Sequence, residues 1–188
     1  MTYFIVMGPR ERMVTSTALL MRARGARATS LDAVLEHSGA PRGSIYHHFP
    51  GGREQLLREA TDYAGEYVAD RLERFEDDPV AAIDWFVKDY AKTLRATDFR
   101  AGCPVVAVAV EAGGEGPDLS DNVRGAFDSW REVFERAGKR RGMKPAEARD
   151  LALYVIASIE GALILCRAYG DTKPLEVVGR ELRERLNR

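Results

Sequence analysis

A short stretch near the amino terminus, residues 38–57, concentrates side chains that can bind an anion. These side chains are Arg42, Ser44, Tyr46, His47 and His48. Arginine can hydrogen-bond guanine or grip phosphate, serine and tyrosine can bind phosphate oxygens, and histidine can do either. Only Ile45 and Phe49 have the spacing of core positions. The segment is therefore a polar helix suited to an anionic partner such as DNA.

The elements around this stretch predict a helix-turn-helix. Pro41 suits the first turn of a helix that extends to about Phe49, because proline has a preset φ and lacks an amide hydrogen. The preceding helix is capped by Thr29 or Ser30 and ends at Gly39. Two helices joined by a short glycine-containing turn, the second of them short and polar, form the arrangement that enters a DNA major groove.

The charge distribution also favours a nucleic-acid partner. Residues 1–53 contain seven arginines against three acidic side chains, together with all three histidines of the chain. The whole protein has a net charge of −1, so residues 54–188 carry −5. A basic segment joined to an acidic body is typical of DNA-binding proteins.

Several other classes of protein are disfavoured. Apolar runs such as 105–110 and 163–166 are too short to cross a bilayer, and residues 1–7 lack the basic flank of a signal peptide. Two cysteines argue against a disulfide-stapled fold. His47 and His48 diverge by about 100° on a helix and lack a third ligand, so DNA contact is a better interpretation than metal binding. We expect a cytoplasmic protein with no cofactor and no membrane partner.

The remainder of the chain predicts further helices and no strand. Apolar residues recur at helical spacing over about 9–24, 53–75, 79–98, 104–112, 118–141, 146–169 and 174–186, with a mobile connection at 113–117. The result is an all-α fold of roughly nine helices. We place a helix-turn-helix DNA-binding domain at 1–53, continuing into a connecting helix at 53–76, and a ligand-binding and dimerisation domain at 54–188.

The helix at 146–169 is apolar nearly all the way round, so it needs partners on both faces. One face can pack inside its own domain, while small residues on the other allow close approach of a second subunit. The expected dimer interface consists of Tyr154, Ser158, Gly161, Ala162, Leu165 and Leu182.

Aromatic residues of the body are candidates for a ligand cavity, although aromatic residues at this spacing more often form core. The expected ligand-binding residues are Phe86, Tyr90, Cys103, Val106, Val110, Phe127, Trp130, Phe134 and Glu160. Cys103 is either a sensor of electrophiles or a small apolar packing residue. Glu160 is either a hydrogen-bonding group for a ligand or interface, or a paired buried acid.

Two segments, 39–57 and 102–106, carry a family resemblance. The first contains Arg42-Gly-Ser-Ile-Tyr-His-His-Phe49 after an N-terminal helix pair, and the second is Gly-Cys-Pro-Val-Val. With the long series of helices that follows, the chain resembles the TetR family of transcriptional regulators. It is most similar to the branch that includes LmrA and YxaF.

This resemblance implies a homodimer whose two heads dock in successive major grooves of a palindromic operator. The implied homodimer represses transcription until a small, largely apolar effector enters the body. The resemblance also implies that the last two helices form the dimer interface. The implied DNA-binding residues are Ser30, Arg42, Gly43, Ser44, Tyr46, His47, His48, Gly52 and Arg53, with phosphate held by Ser30 and by the amides near Gly52 and Arg53. Asp32 stands where many relatives have a basic or polar residue, and Pro41 replaces a common serine cap.

Two other function classes stay open on the sequence alone. One is a constitutive dimeric DNA-binding protein without an effector, which a body with no cavity above the size of a water molecule would favour. The other is a small-molecule enzyme, for which the chain offers no nucleophile–base pair, phosphate loop or metal set. We therefore expect a regulator and not an enzyme.

Overall fold

The structure is a computed structural model that describes residues 7–111 and 117–187. These two ranges contain nine α-helices and no strand, so the all-α prediction is confirmed. The helices are α1 Pro9–Arg24, α2 Leu31–Ser38, α3 Ile45–His48, α4 Gly52–Glu73, α5 Pro79–Ala96, α6 Pro104–Ala109, α7 Ser120–Arg140, α8 Pro145–Tyr169 and α9 Lys173–Leu186. Residues 112–116, which include most of the expected connection at 113–117, lie outside the described residues.

Side-chain and glycine caps set several helix ends. Ser30 Oγ accepts a hydrogen bond from Ala33 N at 3.3 Å, and Asp78 Oδ1 accepts one from Ala81 N at 3.0 Å. Each bond satisfies an amide that has no partner inside its helix. At the other end of α8, Gly170 adopts the left-handed conformation that terminates many helices.

The start of the predicted third helix differs from the expectation. The sequence predicted an α-helix from Pro41 to Phe49, whereas a 3₁₀ turn over Arg42–Ser44 precedes the short helix α3. The Ser44 amide and hydroxyl both donate to the Pro41 carbonyl, at 3.0 and 2.6 Å, which closes a tight i to i+3 turn. Gly43 inside the turn gives little support to a regular helix.

The contacts divide the chain into two compact units. The first unit comprises Met1–Ala64 and Pro104–Arg124, and the second comprises Gly65–Cys103 and Gly125–Arg188. Helix α6 therefore groups with the amino-terminal helices. The predicted functional division near residue 53 stays a prediction.

The first unit has a core formed by the apolar faces of α1 to α4. Its fully or almost fully buried side chains include Met13, Met21, Val34, Ile45, Phe49, Leu56 and Leu57. The Arg10 guanidinium lies over the Phe49 ring, 5.2 Å from its centroid, and pairs with Glu59 at 2.6 Å. Burial of one such large apolar side chain contributes about 1.5–3 kcal/mol, so this core fixes the short helix α3 against α1 and α4.

The second unit depends on a close approach between the carboxyl-terminal half of α4 and α7. A Cβ atom added at Gly65 would lie 2.7 Å from Ala126 Cβ, which is closer than side chains tolerate. At the same place the indole nitrogen of Trp130 donates to the Gly65 carbonyl at 2.8 Å. The absence of a side chain at Gly65 therefore lets the largest buried aromatic residue of the unit satisfy its polar atom.

Helix α8 is long and apolar enough to cross a membrane by length and composition alone. The uninterrupted apolar runs of the sequence did not indicate this, because Glu160 and other polar residues divide them. The buried side chains of α8 pack against α9 and α5. This is the arrangement of a core helix in a globular protein.

Candidate DNA-binding surface and buried cavity

The recognition segment, residues 42–49, is anchored by two buried side chains and exposes most of the others. Ile45 is 2 % exposed and Phe49 is 0 % exposed. The outer side chains of the segment are exposed at Arg42, Tyr46 and His47 and half-buried at Ser44 and His48. Tyr46 is 65 % exposed, which is a large fraction for an aromatic residue. The polar groups predicted from the sequence thus lie together on one surface of the first unit.

The exposed Arg42 side chain has a partner on α2. Its guanidinium lies 3.4 Å from the carboxylate of Asp32, and both side chains are largely exposed. An ion pair in such contact with water contributes at most about 1 kcal/mol. The pair places one carboxylate beside the first residue of the recognition segment.

Two of the predicted phosphate-binding groups already have partners inside the protein. The Ser44 hydroxyl donates to Pro41, as described above, and the Gly52 amide donates to the Phe49 carbonyl at 2.8 Å. Neither group is therefore free to donate to phosphate in this conformation. Ser30 uses its Oγ as an acceptor for the cap of α2 and retains its own hydroxyl hydrogen. The first-turn amides of α4 that follow Gly52 have no acceptor inside the helix.

The Arg53 side chain has a structural role that sequence reasoning missed. Its guanidinium donates to the Thr29 carbonyl at 2.8 Å, to the Ala26 carbonyl at 2.6 Å and to the Arg27 carbonyl at 3.1 Å. The side chain therefore braces the turn between α1 and α2. No local sequence signal distinguishes such an arginine from one that contacts phosphate, because its partners lie more than 20 residues away.

Glu111, two residues after the end of α6, also contacts the turn between α1 and α2. Its Oε2 accepts from the Arg27 amide at 2.8 Å, and its carbonyl accepts from the Arg27 guanidinium at 3.3 Å. Gly25 has a φ of +89°, and an added Cβ there would collide with Glu111 Oε1. This contact also has no signature in the sequence, although Gly25 was recognised as the end of α1.

A small cavity lies among the helices of the second unit. Its lining residues are Leu72, Phe86, Trp130, Phe134, Ile156, Ile159 and Glu160. The space available to a water molecule is about 10 Å³. A volume of that size holds about one water.

Eight of the nine predicted ligand-binding residues fall into three groups, and the ninth, Cys103, forms a hydrogen bond with Glu160. Phe86, Trp130, Phe134 and Glu160 line the cavity directly. Behind them, Tyr90 stacks on Phe86 at a centroid distance of 5.5 Å, and Phe127 meets Trp130 edge-on at 5.3 Å. Val106 and Val110 belong to the first unit, and Val110 is exposed.

Glu160 is the one acidic side chain that lines the cavity. It is 8 % exposed and forms a hydrogen bond with the Cys103 side chain, but its Oε2 is buried without a hydrogen-bond partner. Burial raises the pKa of Glu160 to about 7, and the hydrogen bond with Cys103 opposes this rise only in part. Within residues 7–111 and 117–187, no ion pair involves this carboxyl. Of the two alternatives from the sequence, a paired buried acid is therefore not observed.

Both cysteines are buried, and they have different surroundings. Cys103 contacts the Glu160 carboxyl, and burial raises the pKa of the Cys166 thiol. Reactive cysteines are usually exposed, whereas Cys103 is buried. The part of the chain that the structure describes contains no group of three or more metal-ligating side chains.

The predicted dimer residues on α8 form only part of an exposed stripe. Tyr154 and Leu165 are exposed, and Ser158 and Gly161 are half-buried. Ala162 is 2 % and Leu182 is 1 % exposed, so both side chains pack in the core of their own unit and are not available to a partner. The exposed stripe instead includes Leu153, Ile164 and Tyr169. Gly161 and Ala162 differ in exposure because adjacent residues of a helix point about 100° apart.

Helices α2 and α3, with polar side chains exposed over a buried anchor, define a helix-turn-helix protein. Residues 14–60 match the bacterial regulatory proteins of the tetR family, and residues 79–181 match the C-terminal domain of LmrA/YxaF-like transcriptional regulators. The chain belongs to the TetR family of transcriptional regulators, in its LmrA/YxaF-like branch. The matched families are regulators and not enzymes, as predicted.

Relatives and solved structures agree with this assignment. An uncharacterized HTH-type transcriptional regulator of Mycobacterium tuberculosis is 47% identical over 185 residues, which cover 95% of this chain and 94% of the relative. HTH-type transcriptional regulator LmrA of Bacillus subtilis is 32% identical over 88% of this chain and 90% of its own length. The crystal structure of a TetR transcriptional regulator from Chloroflexus aurantiacus has a TM-score of 0.77 and 32% identity, covering 96% of this chain and 94% of that one.

Proposed function

We propose that this protein is a ligand-responsive transcriptional repressor of the cytoplasm. In this proposal it binds a palindromic operator as a homodimer and leaves it when a small, largely apolar effector enters the second unit. The observation that carries the proposal is the recognition segment, in which exposed Arg42, Tyr46 and His47 project from the buried anchor of Ile45 and Phe49.

Each exposed side chain of the segment has a defined role in the proposal. Arg42 hydrogen-bonds guanine or a phosphate, while Tyr46 and His47 contact phosphate oxygens or base edges. The hydroxyl of Ser30 and the free first-turn amides of α4, including that of Arg53, hold phosphate. Because Ile45 and Phe49 are buried, these contacts come from a fixed scaffold and require little ordering upon binding.

The exposed stripe on α8 supports a homodimer. It presents the apolar side chains Leu153, Tyr154, Ile164, Leu165 and Tyr169 to solvent. Regulators of this family typically act as dimers. Two recognition segments separated by one turn of DNA, about 34 Å, would each enter a major groove of a palindrome.

The cavity around Glu160 supports a response to an effector. A buried carboxylate oxygen without a partner carries a free-energy cost that a suitable ligand removes. A ligand that shifts the protein from almost wholly DNA-competent to almost wholly released must favour the released form by about 5.5 kcal/mol. Apolar contacts together with one such polar contact can provide an amount of that order.

DNA binding is tested by fluorescence anisotropy with the promoter region of the protein's own gene, at fixed salt. We expect Tyr46→Ala combined with His47→Ala to weaken binding at least tenfold without loss of helicity. Arg180→Ala, which alters an exposed residue of α9, serves as the control and should leave affinity unchanged. Equal affinity of the double variant and the wild type would contradict the assignment of this segment.

A second candidate function is constitutive DNA binding without an effector. It is favoured by the size of the cavity, which holds about one water molecule. The two functions differ in one measurement, which is the release of bound promoter DNA upon addition of small molecules. Release at compound concentrations that leave the protein folded supports the repressor with an effector, while failure of a broad compound panel supports the constitutive protein.

A further inference from the structure

We infer that the effector is a lipophilic amine whose cationic nitrogen binds the carboxylate of Glu160 among the aromatic side chains of the second unit. This inference rests on the proposed ligand response and adds the chemical class of the ligand. It follows from the unpaired carboxylate oxygen, from the rings around it and from the charge that the site lacks.

The unpaired oxygen defines the polar contact. The Glu160 carboxyl forms a hydrogen bond with the Cys103 side chain, but its Oε2 is buried and has no hydrogen-bond partner. A purely apolar ligand would leave this atom without a hydrogen bond in a drier site, which is unfavourable. The ligand must therefore bring a hydrogen-bond donor to Oε2.

The rings of the cavity favour a donor that carries positive charge. Phe86, Trp130 and Phe134 line the same small space as Glu160. The faces of aromatic rings attract cations, and the attraction grows when the cation is removed from water. A carboxyl that shares its cavity with three aromatic residues is thus complementary to an alkylammonium group with an apolar body.

The charge balance of the site disfavours the opposite class of ligand. The seven residues that line the cavity include an acid but no lysine or arginine, so a ligand carboxylate would meet no compensating cation among them. Burial raises the pKa of Glu160 to about 7, which means that near neutral pH the carboxyl loses its proton at little cost. An arriving ammonium group stabilises that ionised form.

The size of the cavity determines how such a ligand binds. Since the space holds about one water, an aromatic amine binds only a form in which the lining side chains have moved apart. The site is built from side chains of four helices, α4, α5, α7 and α8, so opening it alters their packing. A ligand that prefers the opened form shifts the equilibrium toward it.

The test uses three probes with similar skeletons and different charge, measured by calorimetry on the full-length protein. The probes are 2-phenylethylamine, the neutral 2-phenylethanol and the anionic 3-phenylpropionate. We expect the amine to bind most tightly and the anion not to bind. In Glu160→Gln the affinity for the amine should fall at least tenfold, while that for the alcohol should change less than threefold.

A matched control separates this effect from a general change in charge. Glu147→Gln removes an exposed carboxylate from the same helix and should leave amine binding unchanged. Equal or tighter binding of the alcohol, or an amine affinity that is unaffected by Glu160→Gln, would overturn the inference.

Operator release distinguishes this failure from failure of the proposed function. If 2-phenylethylamine binds through Glu160 and neither it nor any compound of a broad panel releases promoter DNA, the amine site stands and the ligand-responsive repressor is contradicted. If neutral or anionic compounds release the DNA and the amine does not bind, the repressor stands and the amine inference is wrong.

Discussion

The guanidinium of Arg42 lies 3.4 Å from the carboxylate of Asp32, so the start of the recognition segment is paired with the first turn of α2. Both groups are exposed, and the pair adds little to stability. Its importance is for DNA binding, since Asp32 both orients Arg42 and adds a negative charge beside the surface proposed to meet phosphates.

Replacement of Asp32 by Asn should raise affinity for unrelated DNA and reduce discrimination. We expect nonspecific affinity to increase several-fold, because one repulsive charge is removed. The ratio of promoter to nonspecific affinity should fall, because Arg42 loses its orienting partner. Fluorescence anisotropy at two salt concentrations measures the nonspecific affinity and this ratio. Glu36→Gln, at an exposed position of the same helix, is the control for charge alone and should retain the ratio.

Replacement of Arg53 by Ala should destabilise the first unit. Its guanidinium donates to the carbonyls of Ala26, Arg27 and Thr29, and their loss should lower the free energy of unfolding by about 1.5–3 kcal/mol. Arg58→Ala, which breaks only an exposed pair with Glu54, should change it by less than about 0.5 kcal/mol. Urea titration measures both values. Equal effects of the two variants would show that the hydrogen bonds of Arg53 do not contribute to stability.

Glu160 should make the protein less stable as pH rises. The pKa of Glu160 is about 7 in the folded protein and near 4.5 in the unfolded chain. Between these two pH values, folding therefore takes up a proton. Stability is therefore highest below pH 4.5 as far as this group is concerned, and it is lost as pH rises through 7. The contribution between pH 5 and pH 8 is about 2–3 kcal/mol.

Glu160→Gln isolates this effect, because the amide cannot ionise. The free energy of unfolding of the variant should not fall by this amount between pH 5 and pH 8. Urea titration at several pH values measures it. The variant should exceed the wild type in stability at pH 8. Identical pH profiles of the two proteins would contradict the raised pKa of Glu160.

The helices were predictable because their evidence is local. Apolar spacing, prolines at helix starts and glycines at helix ends are all properties of neighbouring residues, and α1 was predicted with its observed bounds. The contacts of Arg53 and Glu111 were not predictable, because each reaches across the fold to backbone groups that carry no sequence signature. Leu182 was assigned to the wrong surface for the same reason, since spacing shows that a residue is apolar but not which neighbour covers it.

A charge placed on the exposed stripe of α8 should prevent dimer formation. Leu165 is exposed in the single chain, so Leu165→Glu should leave folding of the monomer intact while it introduces an unpaired carboxylate into the proposed apolar interface. We expect sedimentation velocity to show a monomer where the wild type sediments as a dimer.

Operator affinity should fall together with dimer formation. Two linked heads bind DNA with a high effective concentration, so their separation should weaken promoter binding by about 100-fold. Lys92→Glu also adds negative charge, at an exposed position of α5, and is the control, for which we expect a dimer. A dimeric Leu165→Glu variant with full affinity would show that the stripe is not the interface, since a buried, unpaired carboxylate costs more than the apolar contacts at one position provide.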